Sequence, residues 1–298
     1  MFRVGFAEGM NLHLTPHPQA QRPPAANPAI AGVTALTAAE FKQFKTWLYE
    51  LAGINLSEHK HALVTGRLAS RLRHHQLSNH GDYFQLLRGN RFPEEAQIAI
   101  DLLTTNETHF FREPKHFDFL REHILAHHST GRMLRVWCAA SSSGEEPYSI
   151  AMTLAASLGE RPWEVLASDL STRVLERAKT GHYAMARANT IPRALLTAYC
   201  LKGVDSREGT FLIEPKIRSR VQFTQINLNT TLPQIGEFDV IFLRNVMIYF
   251  DQATKRQVVA RVLSRLKPGG HLFVGHAESL NGVSDDVKSV VVSVYRKV

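Results

Sequence analysis

Apolar residues recur along this chain in two rhythms, and the change from one to the other divides it. Between Thr37 and Gly53 they fall at Phe41, Phe44, Trp47, Leu48 and Leu51, a spacing that sets all five on one stripe of a helix. Thr37 has Glu40 three residues on, the capping-box spacing that starts a helix, and Gly53 is the residue type that most easily ends one. A second helix is predicted from about Ser57 to Gln76, with shorter ones over 82–87 and 94–103, so residues 37–103 make a small all-helical domain. From Leu134 onward the apolar residues come instead in short continuous runs. Leu134–Cys138, Glu164–Asp169, Phe238–Leu243 and His271–Val274 have the length of strands buried on both faces, and helical spacing returns between them. Ser289–Tyr295 supplies a last strand, and Lys267-Pro-Gly-Gly270 is expected to turn a helix over 252–266 into the strand that follows. Alternating strands and helices imply a doubly wound α/β fold, with right-handed crossovers placing helices on both faces.

Two segments do not fit that alternation. Residues 181–220 are too long for a simple crossover, and a helix start at Thr190-Ile-Pro192 with a strand over 209–215 marks them as an insertion. Residues 104–113 form a polar linker interrupted by Phe110 and Phe111, and Pro114 opens the helix that begins the large domain, 114–298. Residues 1–36 hold five of the 13 prolines and no periodicity, and are expected to be a disordered tail.

Composition narrows the setting. The 298 residues suit about two domains, and 44% hydrophobic content is ordinary for a globular chain. Cys138 and Cys200 form no CxxC pair, which argues against a disulfide framework or a zinc site. No apolar run approaches the roughly 20 residues of a membrane span, so a cytoplasmic protein without membrane insertion is expected. The net charge of +8 is concentrated in two places: six basic residues face one acid over Lys60–Arg91, and seven face three over Arg187–Arg220. On the second helix Lys60, Arg67, Arg71 and His74 fall within about 40° of one line. Lys60, Arg67, Arg71 and Arg73 are candidates for docking an acidic partner, the plainer alternative being a solvated face.

Candidate chemistry gathers after the first strand of the large domain. Three serines and Gly144 precede a helix there, small residues that would let a ligand approach the backbone closely, and the next strand ends in Asp169. In doubly wound sheets such an acid accepts hydrogen bonds from ribose hydroxyls. The three-glycine dinucleotide fingerprint is missing, and Glu145 and Glu146 stand where a pyrophosphate would need bare amides. A cationic ligand without phosphate fits better, and S-adenosylmethionine has a ribose, an adenine, an amino group and a sulfonium. A plain core turn is the alternative. His109, His123, His127 and His128 come with no HExxH pattern and no nearby cysteine, so no metal is expected.

Five stretches in order, TTNETHFFRE from Thr104, RVWCAASSSGEEPYSIAM from Arg135, ASDLS from Ala167, FDVIFLRNVMIYFD from Phe238 and KPGGHLFVGHAES from Lys267, resemble the chemotaxis receptor glutamate methyltransferases, the CheR family. The resemblance covers roughly 37–298 and implies a class I S-adenosylmethionine methyltransferase sheet, its last strand antiparallel, with a small antiparallel β-subdomain inserted at 181–220. It implies that Asn106, Thr108 and Arg112 reach the cofactor, with Arg112 nearest the methyl, that Glu146 takes its methionine end and that Asp169 takes its ribose. Asn227 and Leu228 would contact adenine, Arg244 and Asn245 would complete the site just past the Phe238–Leu243 strand, and Arg112 and Tyr249 would orient a glutamate carboxylate for methylation. A plainer reading pairs Arg112 with Glu113. The implied product is S-adenosylhomocysteine. The implied partner is the acidic helical bundle of a chemoreceptor, with the β-subdomain able to grip a receptor's C-terminal tail. One departure touches that grip: relatives often carry Gly-x-Gly where this chain has Gly203-Val204-Asp205. A nucleic-acid methyltransferase would also explain the basic charge, but Arg244-Asn-Val-Met-Ile-Tyr249 lacks the Pro-Pro-aromatic that holds a flipped base. A catalytically silent receptor-binding scaffold would need damage at Arg112, Asp169 or Tyr249, and all three are present.

Overall fold

The structure, a computed structural model, describes residues 33–89, 91–129 and 131–298. Its first domain packs α1 (Ala38–Ala52), α2 (His61–His74), α3 (His80–Arg88) and α4 (Pro93–Leu103) around Phe44, Leu48, Val64, Leu68, Leu72 and Tyr83, all shielded from solvent. The capping box at α1 is formed in both directions: the Glu40 amide donates to Thr37 Oγ1 at 3.2 Å, and the Thr37 amide donates to Glu40 Oε2 at 2.7 Å. Leu36 and Phe41, on either side of the cap, are both buried in the same core, the arrangement of a hydrophobic staple. Packing therefore begins before Thr37, since Val33 also lies on this core and the Thr34 amide bonds to Ser78 O. The expected tail is thus shortened at its end, and residues 1–32 lie outside the described residues. Gly53 ends α1 at φ 71°, and a Cβ there would meet Thr254 Cγ2 at 2.6 Å, so this glycine also admits the second domain.

The basic line on α2 is divided by what packs against it. Arg71 turns inward to Glu95 on α4, with Nε and Nη2 at 2.8 and 2.6 Å from its two oxygens. Arg67 Nη1 donates to the carbonyls of Leu103 and Thr104 at the end of α4. Neither is a freely presented cation, whereas Lys60 and Arg73 are exposed. Glu95 is buried, and burial alone would raise its carboxyl; hydrogen bonds from Arg71, Tyr83 and His75 outweigh that and hold it at about 2. Arg71→Met should therefore destabilise the protein by about 2 kcal/mol in urea unfolding, because a shielded carboxylate loses its cation but keeps the Tyr83 hydroxyl.

The second domain opens with α5 (Lys115–Phe119), which continues through a π turn to Ile124 and a 3-10 turn to His127. Then follow β1 (Leu134–Cys138), α6 (Glu145–Leu158), β2 (Trp163–Asp169) and α7 (Thr172–Thr180). The insertion contains β3 (His182–Ala184), α8 (Arg193–Tyr199), β4 (Cys200–Lys202) and β5 (Thr210–Ile213), with its strands in the antiparallel order β3-β5-β4. After α9 (Pro215–Arg218) come β6 (Val221–Gln225), β7 (Phe238–Leu243), α10 (Gln252–Leu263), β8 (Leu266–Val274), β9 (Val287–Val291) and β10 (Val294–Lys297). The main sheet runs β6-β2-β1-β7-β8-β10-β9, parallel through β8 and antiparallel beyond it.

Two local expectations change. Lys267-Pro-Gly-Gly270 lies within β8 as a bulge: Leu266 pairs with Phe238 and pairing resumes only at His271 opposite Val240. A proline without an N–H and Gly269 at φ 74° suit residues left out of the ladder. The single last strand is a hairpin, turned at Ser293 with φ 64°. In the insertion Asp205 adopts φ 52°, the left-handed conformation glycine favours and aspartate tolerates.

Candidate functional site

Strand order reverses between β1 and β7, and a crevice of about 340 Å³ opens at the carboxyl ends of these strands. All ten residues expected to meet the cofactor or the acceptor border it: Asn106, Thr108, Arg112, Glu146, Asp169, Asn227, Leu228, Arg244, Asn245 and Tyr249. Lys60 borders it too, while Arg67, Arg71 and Arg73 do not. What the sequence did not foretell is that the helical domain supplies a wall, from Ala52 to Ser57 and through Leu63 and Leu103.

Asp169 closes β2 with one backbone amide on each carboxylate oxygen, Ser142 at 2.8 Å and Ser171 at 2.9 Å. Burial raises this carboxyl above its ordinary range in spite of those amides. Each oxygen keeps a lone pair for a further donor. Gly144 does not serve close approach of a ligand, as the loop composition suggested. Its φ is 97°, and a Cβ there would strike Tyr183 Oη at 2.6 Å and Ala178 Cβ at 2.8 Å, so the glycine makes room for α7 and for Tyr183 of the insertion. Tyr183 in turn donates to Ser143 O at 2.8 Å. Glu145 also faces that way, fully buried and paired with Arg187 of the insertion. Of the two adjacent glutamates only Glu146 reaches the crevice.

Arg244, whose side chain has no solvent exposure, ties the site together. Its Nη1 donates to Glu146, while Nη2 donates to Arg112 O at 2.6 Å and Glu113 Oε2 at 2.9 Å. The Cys138 thiol donates to the other Glu146 oxygen at 3.2 Å. Glu113 thus pairs with Arg244 and not with its neighbour Arg112, which makes no ion pair among the described residues and donates to Glu107 O at 3.2 Å. The linker is bent sharply on either side of Arg112, with φ 52° at Phe111 and 58° at Glu113, a strained course held by the Phe111 amide on Ser149 Oγ and by Arg244.

Two acids at the site take roles that the sequence did not assign them. Glu113 is one. The other is Glu278, nearly buried, whose carboxylate accepts the amides of Asn245, Met247, Ile248 and Gly275 at 2.7–3.3 Å and so fixes the turn that carries Tyr249. Burial raises the Glu278 carboxyl, opposed by those same amides. Asn227 is committed sideways: its amide donates to Leu51 O at 2.7 Å, and its side-chain oxygen accepts the Asn229 amide. Burial raises the Tyr249 hydroxyl, and Glu107 adds to it, against the opposing charges of Arg112 and Arg67. Glu113, His116 and His276 bring possible metal-ligand atoms within 4.8 Å of one another, but the Arg244 guanidinium already occupies that carboxylate and repels a second cation.

The comparisons with known proteins agree with this two-part architecture. The family model described as the CheR methyltransferase all-alpha domain matches residues 39–104, and the CheR methyltransferase SAM binding domain matches 106–296. The chain is 44% identical over 252 residues to the chemotaxis protein methyltransferase of Escherichia coli, covering 83% of this chain and 86% of that one. It is 42% identical to the protein of the same name from Salmonella typhimurium, covering 84% and 86%. Against chemotaxis protein methyltransferase 2 of Pseudomonas aeruginosa it is 42% identical over 262 residues, covering 87% and 93%. Both domains match in order, the crevice lies where they meet, and the chain belongs to the CheR family of S-adenosylmethionine-binding chemotaxis methyltransferases.

Proposed function

We propose that this protein transfers the cofactor methyl group to glutamate side-chain carboxylates on the cytoplasmic helical bundle of chemoreceptors. The observation that supports an anionic acceptor most directly is Arg112: a half-buried guanidinium on the crevice, without a carboxylate partner among the described residues, beside the Tyr249 hydroxyl. An acceptor carboxylate is already ionised at neutral pH, so the reaction needs no general base. Arg112 and Tyr249 orient it, by a charge-assisted and a neutral hydrogen bond respectively. Bound S-adenosylmethionine supplies the sulfonium methyl. Asp169 takes the ribose hydroxyls, Glu146 the methionine amino end, and the Leu228 side chain with the adjoining backbone the adenine. Opposite charges partly cancel as the methyl moves, so water exclusion by the apolar walls and in-line placement carry most of the acceleration.

Docking falls to the exposed cations Lys60 and Arg73, with the insertion free to receive a receptor tail. The acceptor is tested by incubating the protein with labelled cofactor and receptor cytoplasmic domains: label should enter protein carboxyl esters that mild base releases as methanol. Label appearing in nucleic acid instead would overturn this reading.

Asp169→Ala is expected to weaken S-adenosylhomocysteine binding tenfold or more, since each hydrogen bond to a charged acceptor is worth about 1.5–3 kcal/mol. It also leaves the Ser142 and Ser171 amides without their acceptor, so the unfolding temperature should fall with it. Calorimetry showing unchanged affinity would remove Asp169 from the cofactor site.

A further inference from the structure

We propose that Asp101, in the last turn of α4, is a positioning residue for the cofactor crevice, reaching from the helical domain to hold the turn that follows Asp169. Asp101 is buried and does not border the crevice itself. Its Oδ1 accepts the Thr172 amide at 3.0 Å, and its Oδ2 accepts the Thr172 hydroxyl at 2.8 Å and the Arg173 amide at 3.2 Å. Arg173 Nη2 returns a bond to Asp101 O at 2.9 Å. One helical turn earlier, Gln97 Nε2 donates to Asp101 Oδ1 at 2.8 Å and to Leu170 O at 3.1 Å.

These bonds divide the amides at the start of α7 between two carboxylates. Asp169 takes Ser171, and Asp101 takes Thr172 and Arg173. The first amides of a helix have no partner within the helix and are drawn to any nearby anion. Without Asp101 the Thr172 and Arg173 amides lose their acceptor beside Asp169, whose Oδ1 already accepts the adjoining Ser171 amide, and every oxygen lone pair turned to α7 is lost to the crevice. Asp101 keeps Asp169 available by satisfying its neighbours. It also fixes how the helical wall of the crevice sits over the ribose end, because one side chain bridges α4 and the β2–α7 turn.

The test uses the full chain, with S-adenosylhomocysteine calorimetry, steady-state kinetics and cofactor-free thermal unfolding. Asp101→Asn keeps the size and removes the charge and one acceptor oxygen. It should raise the dissociation constant about tenfold and the cofactor KM in parallel, with kcat at saturating cofactor unchanged within about twofold. Thr172→Val removes only the hydroxyl bond to the Asp101 carboxylate, and should raise the dissociation constant about two- to threefold with a smaller fall in unfolding temperature than Asp101→Asn. The inference rests on cofactor binding in this crevice, and failure of the wild-type protein to bind S-adenosylhomocysteine would strike that reading separately. Variants that unfold at lower temperature yet bind as wild type would reduce Asp101 to a structural tie. A fall in kcat with unchanged affinity would also overturn it.

Discussion

Arg244→Met should lower stability by about 3–5 kcal/mol and abolish measurable cofactor binding. Methionine fills much of the volume but leaves buried Glu146 and largely shielded Glu113 without the cation they share, the costly half of breaking a shielded ion pair. Arg112 also loses the bond on its carbonyl, so the bent linker on which it stands is released. The effect should depend on pH with a definite sign. Burial alone would raise the Glu113 carboxyl, but Arg244, with the His276 amide and the Asn245 side chain, holds it at about 2, against an ordinary 4.5. A carboxyl depressed on folding contributes stability that is complete above about 4.5 and is lost as pH falls through about 2. The variant lacks most of that contribution, so its deficit in urea unfolding should be largest near neutral pH and should shrink as pH drops from 5 toward 3. A pH-independent deficit would assign the loss to packing alone.

Tyr249→Phe should slow methyl transfer by about 10- to 1,000-fold and leave the fold and the S-adenosylhomocysteine affinity intact. The ring stays packed against the apolar side chains of β7 and α10 and only the hydroxyl goes. The backbone of this turn does not depend on that hydroxyl, because Glu278 holds its amides and the Asn55 amide donates to Tyr249 O at 2.8 Å. A kcat within twofold of wild type would return Tyr249 to packing. A raised cofactor dissociation constant would move its hydroxyl from the acceptor to the cofactor.

Periodicity made α1 and most of the parallel strands legible because each depends on residues close in sequence: the Thr37–Glu40 box and the apolar run of Phe238–Leu243, broken only by Asp239, are local facts. The direction of a side chain about a helix axis was legible too, but not what waits there. Arg67 and Arg71 share the expected line on α2, and Glu95 and the end of α4 decide that they turn inward. The same limit hid Glu113 and Glu278, whose partners lie 131 and about 30 residues away. Lys267–Gly270 misled for a different reason, since proline and glycines signal a turn and a strand bulge with the same residues. Gly144 was legible as necessary, but not that Tyr183 of the insertion was the cause.

The grip of Glu278 has a consequence for biosynthesis. The turn that carries Tyr249 cannot be set when it leaves the ribosome, because the carboxylate that satisfies its amides is translated about 30 residues later, beyond α10 and β8. At 5–20 residues per second that delay is only seconds, but the ribosomal tunnel and the pairing of β8 with β7 must both be cleared first. Helical wall, serine loop and Asp169 all precede it in the chain, so competence for methyl transfer is acquired last. Because a ligand stabilises only the state that binds it, cofactor present during synthesis would favour chains that have reached this closing step.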